Sequence, residues 1–212
     1  MTMNIDLKEL ERKAFRSTFQ DGLWDIYLGL LLLQMGLGPF ATRTELPIPW
    51  ILVIALLFVA LVFTGFYLAK KYITLPRIGM VKFSPERQKK RKKVTLVLSL
   101  SVLLGLILAV LGMVIARESL TWSFPVWIVP FGIFAVNSVV VFSLGAYYMD
   151  YSRAYYYGWF FALAFPGDIM VAEYLDMTFP LVSSSLSTVM VVIGLFYFIR
   201  FLRETPQQVL EI

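Results

Sequence analysis

Ile48–Ala69, IPWILVIALLFVALVFTGFYLA, runs for 22 residues without a charge, and Lys70-Lys71 follows at once. A helix needs about 20 apolar residues to cross a hydrocarbon core roughly 30 Å thick. The stretch therefore predicts a membrane-spanning helix; a barrel strand would be short and alternating instead. Outward along the chain, Val94–Ala116, Pro125–Tyr148 and Met177–Ile199 are equally free of charge. Two more apolar stretches carry flaws. Gly22–Ala41 holds Asp25 one turn in, and Ala154–Leu175 holds Pro166-Gly167-Asp168 and Glu173. The pattern predicts an all-α, polytopic integral membrane protein with six transmembrane helices, at 22–41, 48–69, 94–116, 125–148, 154–175 and 177–199. They form a single membrane domain over 1–212, with 1–20 a cytoplasmic N-terminal helix and 70–93 a basic cytoplasmic loop.

The loops test that count independently. Six spans place both termini on one side, and basic residues gather in cytoplasmic loops. One side holds seventeen Lys and Arg residues, ten of them between Lys70 and Lys93; the other holds only Arg43 and Arg117. Both termini are therefore expected in the cytoplasm, and the chain in the cytoplasmic membrane of a prokaryotic cell. The first apolar stretch is too long for the core of a cleavable signal peptide. Composition agrees with lipid as the solvent, since 59% of the 212 residues are hydrophobic and 16% charged. A soluble chain carries about 45–50% and about 25%.

Neither Cys nor His occurs. Their absence removes disulfides, thiol nucleophiles, thiolate and imidazole metal ligands, and the usual general base. No cofactor is expected. Gly22, Gly29 and Gly36 recur every seven residues and so share one stripe of the first span. Ser101, Gly105, Ala109, Gly112 and Ala116 make a second stripe in the third span, and Ala154, Gly158 and Ala162 a third in the fifth. Small residues let helix backbones approach inside lipid, so these three spans are expected to pack tightly. Tyr147, Tyr148, Tyr151, Tyr155, Tyr156, Tyr157 and Trp159 surround the turn at 150–153, where an aromatic interface belt is expected.

Asp21 and Asp25 are four residues apart and share a helix face at the cytoplasmic end of the first span. A carboxylate below the headgroups is costly unless partnered. Arg77 and Lys82 lie at matching depth, which suggests an ion-paired clamp; a substrate or proton site is the alternative. Further on, Arg87, Lys89, Lys90, Arg91, Lys92 and Lys93 put six basic residues in seven. Ser84-Pro85 reads as a cap followed by proline at the first helical position. One continuous helix is expected from Pro85 to Ala116, a basic stub held by anionic lipid headgroups. No base-reading module accompanies the run, so nucleic acid is not an expected partner.

The stretches DGLWD (Asp21–Asp25) and PRIGMVKF (Pro76–Phe83) resemble small multi-span membrane proteins of prokaryotes that are described as uncharacterised. The resemblance implies a family grouping and carries no activity and no site residues.

Asp168 is the remaining candidate. Pro166-Gly167 is expected to interrupt the fifth span, leaving Asp168 either to cap a small outer helix or to line a broken-helix substrate site. Most enzyme readings fail; a lipid-headgroup transferase holding Mg²⁺ on Asp21 and Asp25 lacks a second acidic pair at helical spacing on the cytoplasmic side. Asp150 and Asp168 are 18 residues apart, roughly 27 Å along a helix, whereas a shared-proton dyad needs about 3 Å. Ser183, Ser184, Ser185 and Ser187 have no Lys at their depth to act as base. Two functions remain. The first is a non-enzymatic membrane scaffold that associates with itself or another membrane protein; the second is a small transporter or channel using Asp25, Asp168 or both.

Overall fold

The computed structural model describes residues 19–41, 46–78, 89, 92–93, 96–101, 103–104, 128–177 and 179–205. Of the helix expected from Pro85 to Ala116, residues 89, 92–93, 96–101 and 103–104 are described and helical; its remainder, most of the 1–20 helix, and Lys82, Arg87, Lys90 and Arg91 lie outside the described residues. Among the described residues every regular element is helical. Helix α1 spans Leu23–Ala41 and α2 spans Ile48–Ala69. A π-helical turn, Lys70–Thr74, continues α2 into the short α3, Leu75–Ile78. Then come α4 (Ile128–Met149), α5 (Arg153–Leu175) and α6 (Leu181–Glu204). Among the described residues three stretches, Pro49–Ile78, Gly132–Met149 and Leu181–Glu204, are long and apolar enough to cross a membrane. The chain is a helical membrane protein.

Helix α2 shows why lipid is its solvent. Leu56 and Leu61 are 69% and 72% exposed, and Leu52, Ile54, Leu57 and Phe63 are exposed with them. An apolar surface of that extent is untenable in water and at home in hydrocarbon. Pro47 precedes the helix and Pro49 sits in its first turn, where a missing N–H costs nothing. At the far end helical geometry continues to Ile78 where the sequence predicted loop from residue 70. The basic segment thus begins on a helix.

The chain divides into two compact units, Met1–Phe83 with Gly167–Ile212, and Ser84–Pro166; the division falls inside α5. In the first unit α1 packs mainly on α6 and secondly on α2. The glycine stripe makes the α1–α6 contact. Gly36 meets Ser183, Gly29 meets Ser187 and Met190, and Gly22 meets Gly194, so the two helices run antiparallel. Gly22 sits at φ +85, and a Cβ there would lie 2.6 Å from the Phe198 nitrogen and overlap the Gly194 carbonyl. Only glycine meets both demands. Gly194 returns the constraint, because its Cβ would lie 2.8 Å from the Gly22 oxygen. Ser187 Oγ donates to the Gly29 carbonyl at 2.7 Å, and Gln34 Nε2 ties α1 to α2 through the Ala55 carbonyl at 3.1 Å. Trp24 and Tyr27 of α1 pack on Phe66 of α2, with centroids 4.9 and 4.8 Å apart.

In the second unit α4 and the first part of α5 form a hairpin. Gly158 lies against Val139 and Phe142, and Phe142 meets Phe161 at 4.9 Å. The turn is a Schellman motif: Asp150 takes φ 53 and Tyr151 N–H bonds the Ala146 carbonyl at 3.0 Å. The stripe of the first span therefore packs on α6, and that of the fifth on α4. Of the third span's stripe only Ser101 is described; it accepts a hydrogen bond from Asn137 Nδ2 at 2.8 Å.

Candidate functional site

The Gly22 break ends the helical stretch containing Phe19 and Gln20, and Asp21 sits just before α1. Its Oδ1 accepts the Leu23 N–H at 3.2 Å, an Asx-type closure of the helix start. Its Oδ2 accepts both Lys70 Nζ at 2.7 Å and Thr74 Oγ1 at 2.8 Å. Asp21 is fully buried, while the Lys70 side chain is 15% exposed. A buried carboxylate needs this density of partners, because neither the charge nor its lone pairs can reach water. The Lys70 ammonium also lies over the Phe66 ring, 5.7 Å from its centroid. Lys70 and Thr74 bracket the π-helical turn, whose closing bond runs from Leu75 N–H to the Lys70 carbonyl. Such turns often mark sites where a helix must present particular groups. Here two donors converge on one oxygen.

Asp25 is also fully buried, one turn farther along α1. The expected clamp of Asp21 and Asp25 against Arg77 takes another form. Lys70 supplies the amine on Asp21, and Arg77 turns to the end of α6. There Nη1 donates to the Leu202 carbonyl at 3.1 Å and the Thr205 carbonyl at 2.9 Å. The last carbonyls of a helix have no partner within it and carry its negative partial charge, so a guanidinium is favoured there. Lys82 lies outside the described residues.

Asp168 occupies the opposite end of α6. Helix α5 runs unbroken through Pro166, so the predicted interruption and the small outer helix are both absent. Asp168 instead reaches α6. Oδ1 accepts the N–H groups of Val182 at 2.8 Å and Ser183 at 3.2 Å, and Oδ2 accepts Ser183 Oγ. The cap position of α6 is Pro180, which has no side-chain acceptor. A carboxylate from the neighbouring helix fills that role and complements the positive end of the dipole. Helix α6 thus carries an anion at its first turn and a cation at its last, both supplied by other segments.

Sequence reasoning singled out Asp21, Asp25, Arg77 and Asp168 and missed Lys70, Thr74 and Ser183. Lys70 and Thr74 are four residues apart at the end of a charge-free span, a spacing that places both on one face. From the sequence alone Ser183 reads only as a candidate nucleophile. Lys89, Lys92 and Lys93 are helical and exposed. Among the described residues no cluster of three His, Cys, Asp or Glu could hold a metal ion. Compared with protein-family models, curated proteins and solved structures, the chain matches none of them.

Proposed function

We propose that this protein is a non-enzymatic, multi-pass module of the prokaryotic cytoplasmic membrane, built to hold its helices together and to associate with itself or with another membrane protein. One observation carries the reading: Asp21 and Asp168 spend their lone pairs on backbone N–H groups, an amine and hydroxyls inside helix contacts. A transport residue must exchange its partners, and a structural one keeps them. In this reading the six predicted spans cross the bilayer with both termini in the cytoplasm. The end of α6 bearing Arg77 faces in, and the end bearing Asp168 faces out.

Flux in proteoliposomes tests it. Wild-type protein should pass protons, Na⁺ and K⁺ no faster than protein-free vesicles, and Asp25→Asn and Asp168→Asn should match it. A flux above empty vesicles that either substitution abolishes would replace the module with a small transporter. Threading is tested separately, because the chain has no native Cys. In intact cells an impermeant maleimide should label Thr44→Cys and spare Ser152→Cys; the reverse pattern overturns the orientation.

A further inference from the structure

We infer that the second unit carries a binding surface for anionic phospholipid, in which Lys89, Lys92 and Lys93 hold the headgroup phosphate and Tyr148 fixes the depth of the cations. The inference rests on the membrane reading above and adds a specific partner to it. Lys89, Lys92 and Lys93 are helical and exposed, three cations within five residues of sequence. The described residues that follow are also helical; Leu96, Leu98 and Leu100 are 60%, 47% and 57% exposed, and no charge occurs among them. Exposed cations give way to exposed leucines within three residues of sequence, as a lipid gives way from headgroup to acyl chain.

A second element marks the same depth. Lys93 Nζ lies over the Tyr148 ring, 5.9 Å from its centroid, at the end of α4. Tyr147 is 68% exposed beside it, with the two rings 5.2 Å apart. Tyrosine favours the headgroup boundary because its ring is apolar and its hydroxyl wet. Cations over an aromatic floor, next to a bare apolar helix, favour a lipid of net negative charge over a zwitterionic one. An acidic protein segment would meet the charge but not the exposed leucines.

Lipid retention measured by native mass spectrometry on the full chain in detergent tests this. Wild type should bind phosphatidylglycerol in preference to phosphatidylcholine, with a preference that falls as salt rises. At roughly a fivefold contribution per basic side chain, Lys89→Gln/Lys92→Gln/Lys93→Gln should weaken phosphatidylglycerol binding on the order of 100-fold. Tyr148→Leu should weaken it about two- to fivefold and Tyr148→Phe should leave it unchanged, because the ring face does the work. Melting temperatures should not move in the lysine variant, whose side chains are exposed. Equal binding of both lipids by wild type, or full phosphatidylglycerol binding by the triple variant, overturns the inference. Both outcomes are independent of ion flux, so the surface can fail while the module reading stands, and the reverse.

Discussion

Asp21 and Asp168 both satisfy the first N–H groups of a helix, yet one works inward on its own chain segment and the other reaches across. Asp21 closes the start of α1, then draws α2 in through an ammonium and a hydroxyl, with no water access of its own. Asp168 sits on α5 and accepts only neutral donors from α6. The first joins charge to charge in a dry place. The second joins charge to a helix dipole in a partly buried one. Loss of the first takes from Lys70 the carboxylate to which it donates; loss of the second strands two amides and a hydroxyl. Losing the partner of a charge is the greater penalty.

Breaking the inward site should therefore cost most. Asp21→Ala is expected to destabilise the protein by about 3–5 kcal/mol, the usual consequence of removing one partner from a buried ion pair. Equilibrium unfolding by SDS in mixed micelles measures it. The double variant Asp21→Ala/Lys70→Met should be more stable than Asp21→Ala alone, since it also removes the ammonium that has lost its hydrogen-bonded carboxylate. If Asp21→Ala costs less than about 1 kcal/mol, the pair is a surface contact in energy, whatever its geometry.

The same contrast explains what could be read from the residues alone. The stripe of Gly22, Gly29 and Gly36 was visible because a seven-residue period keeps one helix face. Its partner was not, because Ser183, Ser187 and Gly194 sit among apolar residues that look alike whether they meet lipid or a helix. Asp21 and Asp25 stood out as carboxylates in a hydrophobic stretch. Their amine did not, since Lys70 is the first of ten basic residues and only its four-residue spacing to Thr74 at the end of the charge-free span sets it apart. The π turn that turns Lys70 and Thr74 to one oxygen is a backbone property without a residue signature. Asp168 was misplaced for a related reason. Pro-Gly-Asp normally ends a helix, and the missing acceptor at Pro180 becomes apparent only when α5 and α6 are seen together.

The outward site should cost less and respond to gentler chemistry. Asp168→Ala is expected to lose about 1–2 kcal/mol in the same measurement, the range for an N-terminal cap. Asp168→Asn keeps an acceptor oxygen and should lose less than half of that. Equal losses from the two substitutions would mean that the charge, acting on the helix dipole, matters more than the hydrogen bonds.

The smallest effect belongs to Arg77, and it separates the geometry seen here from the clamp expected from the sequence. Arg77→Ala removes a cation from the last carbonyls of α6, a contribution of about 0.3–1 kcal/mol. Arg77 and Asp21 share no hydrogen-bonding partner among the described residues: the guanidinium holds Leu202 and Thr205, and the carboxylate holds Leu23, Lys70 and Thr74. Independent sites add to within about 0.5 kcal/mol. The losses of Arg77→Ala and Asp21→Ala should therefore sum in the double variant, while Asp21→Ala and Lys70→Met should not. A coupling above about 1 kcal/mol between Arg77 and Asp21 would return the arginine to the carboxylate. Additivity leaves it as the positive cap of α6, the counterpart of Asp168 at the other end of the same helix.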